Sequence, residues 1–448
     1  MSRPERFRFR TLEELFAKAR ELGLELPISG NIGILLSPFA LSGRTLPNRL
    51  AIHPMEGADA DARGGPGELT FRRYGRFGAG GCSLIWFEAA AVVPAGRSNP
   101  RQLLLDPRNL DGFKRLVAAT RKAAAREGGA GRDLLLVLQL THSGRFSKPE
   151  GKPAPIIAHH APLLDAVHDL PHDSPLIEDD DLDRLQDDFV KAAGLASEAG
   201  FDGVDIKACH GYLVAELLGA VARKGRYGGS FENRTRFLRE TLHRVRDRFP
   251  GLIAAVRLNA TDTLPYPQGF GADRNKPGIE DLSEPRALLR ALSDDGVALV
   301  NITVGVPHLR PHFGRPFDKP IRGGAVPDKH PLEGVARLVR ITAELQSARP
   351  SLPLVGTGYS WLRQYAPAVA AGVLTRKKAA LIGFGRMAFA YPDFARDLLL
   401  YGRLDPNKVC VACSGCSDLP RAGLPAGCIV RDRPTYRKAP GLPWKGTL

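Results

Sequence analysis

No apolar run in this chain approaches the ~20 residues that a membrane-crossing helix needs, which argues against a helical membrane protein. The opening MSRPERFRFRTLEELFAKAREL carries charges where a secretory signal would place its apolar core, so the expected compartment is the cytoplasm. Blocks of about five or more like charges are missing as well. The net charge of +15 is spread over dispersed Arg and Lys, which describes a solvated basic surface better than a nucleic-acid stripe. The locally basic, Pro-rich exception is the tail RDRPTYRKAPGLPWKG, read as a solvated extension or as a cover for a neighbouring subunit in a homo-oligomer. There is no internal repeat, no low-complexity tract and no GxGxxG of the dinucleotide type after the last apolar strand.

What the 448 residues do contain, at 43% hydrophobic and 25% charged, is apolar β-rich runs alternating with amphipathic stretches, the pattern of parallel β/α units. Strands are expected at Leu50–Met55, Cys82–Glu88, Leu134–Leu140, Gly203–Ala208, Leu252–Leu258, Ala298–Thr303, Leu352–Gly356 and Ala379–Gly383. Helical spacing is expected at Leu110–Arg126, Leu182–Ala199, Arg236–Phe249, Pro285–Ser293, Gly334–Ser347 and Trp361–Ala371. Eight such strands make an α/β fold, a single (β/α)8 TIM barrel spanning residues 1–405 with an N-terminal cap. In the cap, Ile28–Pro47 has the turn chemistry of a hairpin that closes the barrel bottom. Two long segments, Ser143–Asp181 and Ala260–Ser283, leave the C-terminal ends of the third and fifth barrel strands and are expected to roof the site.

The densest chemistry lies where the fourth barrel strand ends: Lys207, His210 and Tyr212 follow one another within FDGVDIKACHGYL. Strand C-termini hold the active site of such barrels, so these donors converge on one cavity mouth, against the plainer reading of a salt-bridged rim. Arg257 sits inside the apolar run LIAAVRL and demands an anion. Gln139 reads equally as a ligand-binding amide or a buried amide satisfying backbone. Gly356 and Gly358 in GTGYS, and Gly385 with Arg386 in GFGR, follow the last two strands, where these barrels commonly bind phosphate. His142, His308 and His312 are weaker candidates, with His308 placed to line the cavity.

These residues resemble the flavin-dependent ene-reductases, the old yellow enzyme family of NADH:flavin oxidoreductases. The likeness runs from PNRLAIHPM at Pro47 to GFGR at Gly383–Arg386, through QLTHSGR at Gln139–Arg145, AGFDGVDIKACHGYL at Ala199–Leu213 and GRYGGSFENRTRF at Gly225–Phe237. It implies FMN across the barrel top, reduced by NADH or NADPH, with Pro54 and Met55 against the ring, Gln139 on its pyrimidine edge, Arg257 near N1, and Gly356, Gly358, Gly385 and Arg386 around the phosphate. Glu56 follows where some relatives carry a Cys. The resemblance also implies that Lys207 and His210, in place of a His-x-x-His or His-x-x-Asn pair, hold the oxygen of an activated alkene, and that Tyr212 protonates its α-carbon. Lys207 departs from that pattern and either clamps the oxygen more strongly or selects an anionic substrate.

Four of the six cysteines form Cys410-x2-Cys413-x2-Cys416-x11-Cys428 in an extension over residues 406–448. Thiols this close in an intracellular chain suit a metal or an iron–sulfur cluster better than disulfides. The run is similar to the [4Fe–4S] ligands of the dienoyl-CoA reductase branch, one residue shorter between its second and third cysteines. Structural zinc and free thiols stay open. The expected function is reduction of a C=C bond in a small unsaturated molecule. The rivals are a dihydrouridine-synthase-like barrel acting on RNA and an oxidative flavin dehydrogenase or demethylase.

Overall fold

The computed structural model describes residues 5–128 and 133–437; the expected basic tail from 438 onward lies outside the described residues. Near the N-terminus, β1 (Phe39–Leu41) and β2 (Arg44–Leu46) pair antiparallel. Their turn residues Ser42 and Gly43 both take positive φ, 49° and 76°, the twist a two-residue hairpin favours.

Eight parallel strands then close into a barrel: β3 (Leu50–Ile52), β4 (Leu84–Ala91), β5 (Leu135–Thr141), β6 (Gly203–Ile206), β7 (Ile253–Asn259), β8 (Leu299–Thr303), β9 (Leu354–Gly356) and β10 (Leu381–Phe384). The ring shuts where Ile382 of β10 registers with Leu50 of β3. Each expected strand is present within a few residues. The first ends at Ile52 rather than Met55, and Pro54, which has no N–H to give a ladder, lies just beyond it. β4 runs on to Ala91 past an irregularity in register between Phe87 and Ala89.

Side chains two apart on a strand share a face, and that rule builds the interior from the bottom upward. Ala51, Leu84, Trp86, Leu135, Val137, Ile253, Ala255, Leu299, Val355 and Leu381 pack inside with Leu41 and Leu46 of the hairpin, which plugs the lower end as expected. Continuing along the same faces, Leu135 and Val137 are followed by Gln139, Ile253 and Ala255 by Arg257, and Leu299 by Asn301. The interior thus changes from apolar to polar toward the strand C-termini. The outward faces join a second core under the helices.

Helices Leu110–Gly128, Asp179–Glu198, Phe231–Arg248, Ser283–Asp294 and Pro331–Ala348 cover the barrel near the expected positions. Ser230 starts the third of these by accepting the Asn233 N–H at 3.3 Å. Around Trp361, Tyr359–Tyr365 is a 3₁₀ turn broken at Arg363, and the helix proper is Ala366–Thr375. The helix Glu68–Ala79, which is not among the expected ones, buries Thr70, Arg73, Tyr74, Phe77 and Gly78 at helical spacing, so its buried face includes the charged side chain of Arg73. That guanidinium is paired with both Asp59 and Glu88.

Candidate active site

Asp205 organises the polar floor. Its Oδ2 accepts from Trp86 Nε1 at 2.8 Å and Gln139 Nε2 at 2.5 Å, and its Oδ1 takes the Arg257 backbone N–H at 2.6 Å. Burial nevertheless pushes its carboxyl up to about 6. With Asp205 occupied by Trp86, Gln139 and the Arg257 backbone, the Arg257 guanidinium reaches only the Pro54 carbonyl among the described residues, at 3.1 Å, and its Nε is buried without a partner. A buried cation so weakly satisfied calls for an anionic or polar ligand. Beside it, His53 Nδ1 and Asn301 Nδ2 stand 3.0 Å apart. A Cβ on Gly383 would come within 2.1 Å of the His53 ring, so glycine is required there.

A cleft crosses the barrel top from Pro54 and Met55, past Arg257, to Gly358, Gly385 and Arg386. Gly358 takes φ +98° and faces Leu338 at 2.6 Å from any added Cβ. Arg386 donates to the Pro316 carbonyl at 2.6 Å while its Nη1 has no partner. A flat cofactor with an anionic tail fits this donor set: one under-satisfied guanidinium at mid-cleft and another at the glycine-rich end. Two expected ligands stand apart. Gln139 commits its amide nitrogen to Asp205, and neither it nor Gly356, inside β9, lines the cleft.

Beyond β6 the chain doubles back through His210 and Gly211, at φ 67° and 74°, and this brings the predicted trio together. His210 Nε2 lies 3.4 Å from Thr303 Oγ1, in the cleft with Arg257. Burial first, then Arg257 and Lys207, keeps its imidazole well below the usual histidine range, hence neutral and able to donate one N–H. Lys207 Nζ sits 3.3 Å from the Tyr212 ring centroid, a close cation–π contact, and burial lowers its ammonium to about 8. The Tyr212 hydroxyl lies beside those of Ser98 and Ser143, and burial holds it well above the usual phenol range, hence protonated.

A pH dependence follows. The Lys207 ammonium is present below pH 8 and lost above it, so inhibition by a simple carboxylate competitive with substrate is expected to weaken about tenfold per pH unit above that point. Lys207→Met is expected to bind the carboxylate weakly with a flat profile. Equal inhibition constants for both proteins across pH 6–10 would remove Lys207 from anion binding.

The two long segments do roof the site. Phe146, Ala161 and Leu164 from the first and Leu264 from the second pack with Tyr212 and Val306. Arg145, fully buried, ties the first segment down by pairing with Asp165 and Glu216. His308 stacks on Phe146 at 3.9 Å, and burial takes it down to about 3. His142 is structural: its Nδ1 accepts the Gly144 N–H at 3.0 Å. His312 packs against Phe313 and Phe317 and does not line the cleft.

Cys410, Cys413, Cys416 and Cys428 line one small cavity with Arg386 and Phe389. Backbone N–H groups of Ala412 and Arg431 reach the Cys410 and Cys428 sulfurs at 3.4 and 3.3 Å. Arg386 therefore borders both the cofactor cleft and the cysteine cavity. Among the described residues, no three His, Cys, Asp or Glu side chains stand close enough to hold a single ion. The extension is fastened to the barrel by Asp432 with Arg72 and Arg76, and by the Ala426 N–H on the Gly57 carbonyl at 2.7 Å.

Sequence reasoning missed His53, Thr303, Arg315 and Ser360, all at the cleft. Two of them had a readable signal, since strand period two aligns His53 with inward Ala51, and Thr303 with inward Leu299. Ser360 lies in the 3₁₀ turn Tyr359–Tyr365 and closes the GTGYS motif, of which only the glycines were singled out, whereas Arg315 lies on an irregular loop and had no signal.

Compared with known proteins, residues 34–273, more than half of the chain, match the family model described as NADH:flavin oxidoreductase / NADH oxidase. An NADPH dehydrogenase of a Geobacillus species is 30% identical over 293 residues, 64% of this chain and 79% of that protein. The structure of an old yellow enzyme homologue from Zymomonas mobilis superposes with TM-score 0.60 at 23% identity, covering 83% of this chain and 94% of that one. A 2-naphthoyl-CoA reductase in complex with 2-naphthoyl-CoA gives TM-score 0.69 at 19% identity over 90% of this chain, which spans only 57% of that longer one. At such identities the superpositions speak to the fold.

Proposed function

The chain belongs to the NADH:flavin oxidoreductase / NADH oxidase family, and from that premise we propose that it reduces the C=C bond of an α,β-unsaturated substrate on FMN. It is an NAD(P)H:flavin oxidoreductase; the alkene is the part proposed. The observation that carries the reading is Tyr212, a phenol kept protonated under an apolar roof with Lys207 against its ring and neutral His210 nearby.

Bound FMN supplies the hydride that reaches the β-carbon. Pro54, Met55 and Arg257 would hold its ring, and Gly358, Gly385 and Arg386 its phosphate. His210 donates its N–H, and Lys207 its charge, to the substrate oxygen as electron density builds there. Tyr212 gives its proton to the α-carbon. The roof built on Phe146 and Leu264 excludes water from that exchange. The test is anaerobic: enzyme reduced by NADPH is expected to be reoxidised by at least one member of a panel of enones and unsaturated acids, and no reoxidation by any of them would overturn the proposal.

For the cysteines we propose a [4Fe–4S] cluster. What supports the reading is that all four cysteines line one small cavity and that thiolates are the ligands such clusters take. Arg386 and Arg315 lie close enough to offset the cluster's negative charge. Protein purified without oxygen is expected to show a brown shoulder and about four irons per chain. Cys416→Ser is expected to lose the iron and keep the flavin spectrum. Zinc in place of iron in the anaerobic protein would overturn the assignment.

A further inference from the structure

Glu56 directly follows Met55 of the cleft lining, and the roles given to Lys207, His210 and Tyr212 leave it unused. We propose that Glu56 and Ser98 form the relay that returns a proton to Tyr212 after each turnover; this rests on the alkene-reduction reading of the same site. Ser98 Oγ donates to Glu56 Oε1 at 2.5 Å, Asn99 Nδ2 donates to the same oxygen at 2.6 Å, and Gln102 Nε2 reaches Oε2 at 3.4 Å. Gln102 Oε1 in turn takes the Ser98 N–H at 2.6 Å. The carboxyl and the hydroxyl are therefore fixed against each other by their neighbours.

At the inner end of this network, Ser98 and Ser143 are the hydroxyl side chains that bear on the Tyr212 phenol. The charged groups that face Glu56 are Lys207, Arg97 and Glu88. Tyr212 is 8% exposed and roofed by Phe146, Leu264 and Val306, whereas Ser98 and Glu56 are half-buried. The path thus leads from a closed site to water.

The need for it is energetic. Once Tyr212 has protonated the substrate it is a buried phenolate, costly in a poorly solvated site and shielded from bulk water. In the transfer, the Tyr212 O–H bond breaks as the α-carbon C–H bond forms. A solvent proton reaches the Glu56 carboxylate; Glu56 hands it to the Ser98 oxygen as the Ser98 hydroxyl turns from Glu56 to give its own proton to the phenolate, which leaves Glu56 a carboxylate again. One solvent proton and one hydride from NAD(P)H are consumed for each C=C bond, which balances the reduction.

Glu56→Gln and Ser98→Ala test it, read by stopped-flow with the flavin-loaded enzyme. Both are expected to leave NADPH-driven flavin reduction unchanged and to slow alkene-dependent reoxidation roughly tenfold or more, below the 10²–10⁴ scale of losing the acid itself. The solvent deuterium isotope effect on reoxidation should rise in both, imidazolium buffer should restore rate to Glu56→Gln, and Glu56→Asp should keep most of it. Reoxidation at the wild-type rate in both variants, or a loss with neither a changed isotope effect nor rescue, would overturn the relay while leaving the alkene reading standing. A wild-type enzyme reduced by NADPH but reoxidised by no alkene would remove that reading, and the relay with it.

Discussion

Tyr212→Phe is expected to cut alkene-dependent reoxidation of the reduced enzyme by roughly 10²–10⁴-fold, the range for removing a positioned general acid. Reduction of the flavin by NADPH should be unaffected. The substitution is close to isosteric: the ring stays beneath the Lys207 ammonium, 3.3 Å from its centroid in the native protein, and stays in the apolar roof with Phe146 and Val306. Packing therefore survives and only the proton is lost. Because burial holds the native phenol well above its usual range, the wild-type reoxidation rate should not fall at high pH through Tyr212 ionisation. Any alkaline limb near pH 8 belongs instead to Lys207. A Phe variant that reoxidises with the alkene at the native rate would move the acid elsewhere, and His210, neutral in the cleft with Arg257, would be the next group to replace.

Arg145→Met carries the largest expected effect on stability, about 3–5 kcal/mol, the cost of removing one partner from a buried ion network. Arg145 is fully buried and neutralises both Asp165, on the roof segment, and Glu216, on the helix after Tyr212. It also donates to the His159 carbonyl at 2.8 Å. Without it two carboxylates remain in a poorly solvated site, and Glu216 is already raised by burial. Glu216 in the variant should then have a folded pKa above that of the unfolded chain, so the deficit should shrink as pH falls and a proton neutralises it. The checks are the urea midpoint at two pH values and the rate of proteolysis within Ser143–Asp181. Unchanged midpoints with unchanged proteolysis would show that the roof is held by its apolar contacts alone. Adding Glu216→Gln should recover part of the loss, because it removes one orphaned charge.

The same two sites show how far the linear chain could be read. Strand period two is local, so the eight apolar runs and their closed barrel were legible, as was the change from Leu135 and Val137 to Gln139 at the polar end. The motif around Lys207, His210 and Tyr212 was legible too, because all three leave one strand. Glu56, by contrast, was visible only as a departure from the family pattern. Its role depends on Ser98, Asn99 and Gln102, which return to it from beyond the next barrel strand.

By itself the sequence determined the (β/α)8 architecture, the strand ends that hold the chemistry, and a run of four thiols outside the barrel, since each is written in residues close together along the chain. Barrel closure alone decided that Arg386 borders both the cofactor cleft and the cysteine cavity, that Arg73 can be buried between Asp59 and Glu88, and that Lys207 turns onto the Tyr212 ring. The reason is that buried charges choose their partners by proximity in space, after desolvation has made every unpaired alternative expensive. No spacing along one strand or helix records that choice.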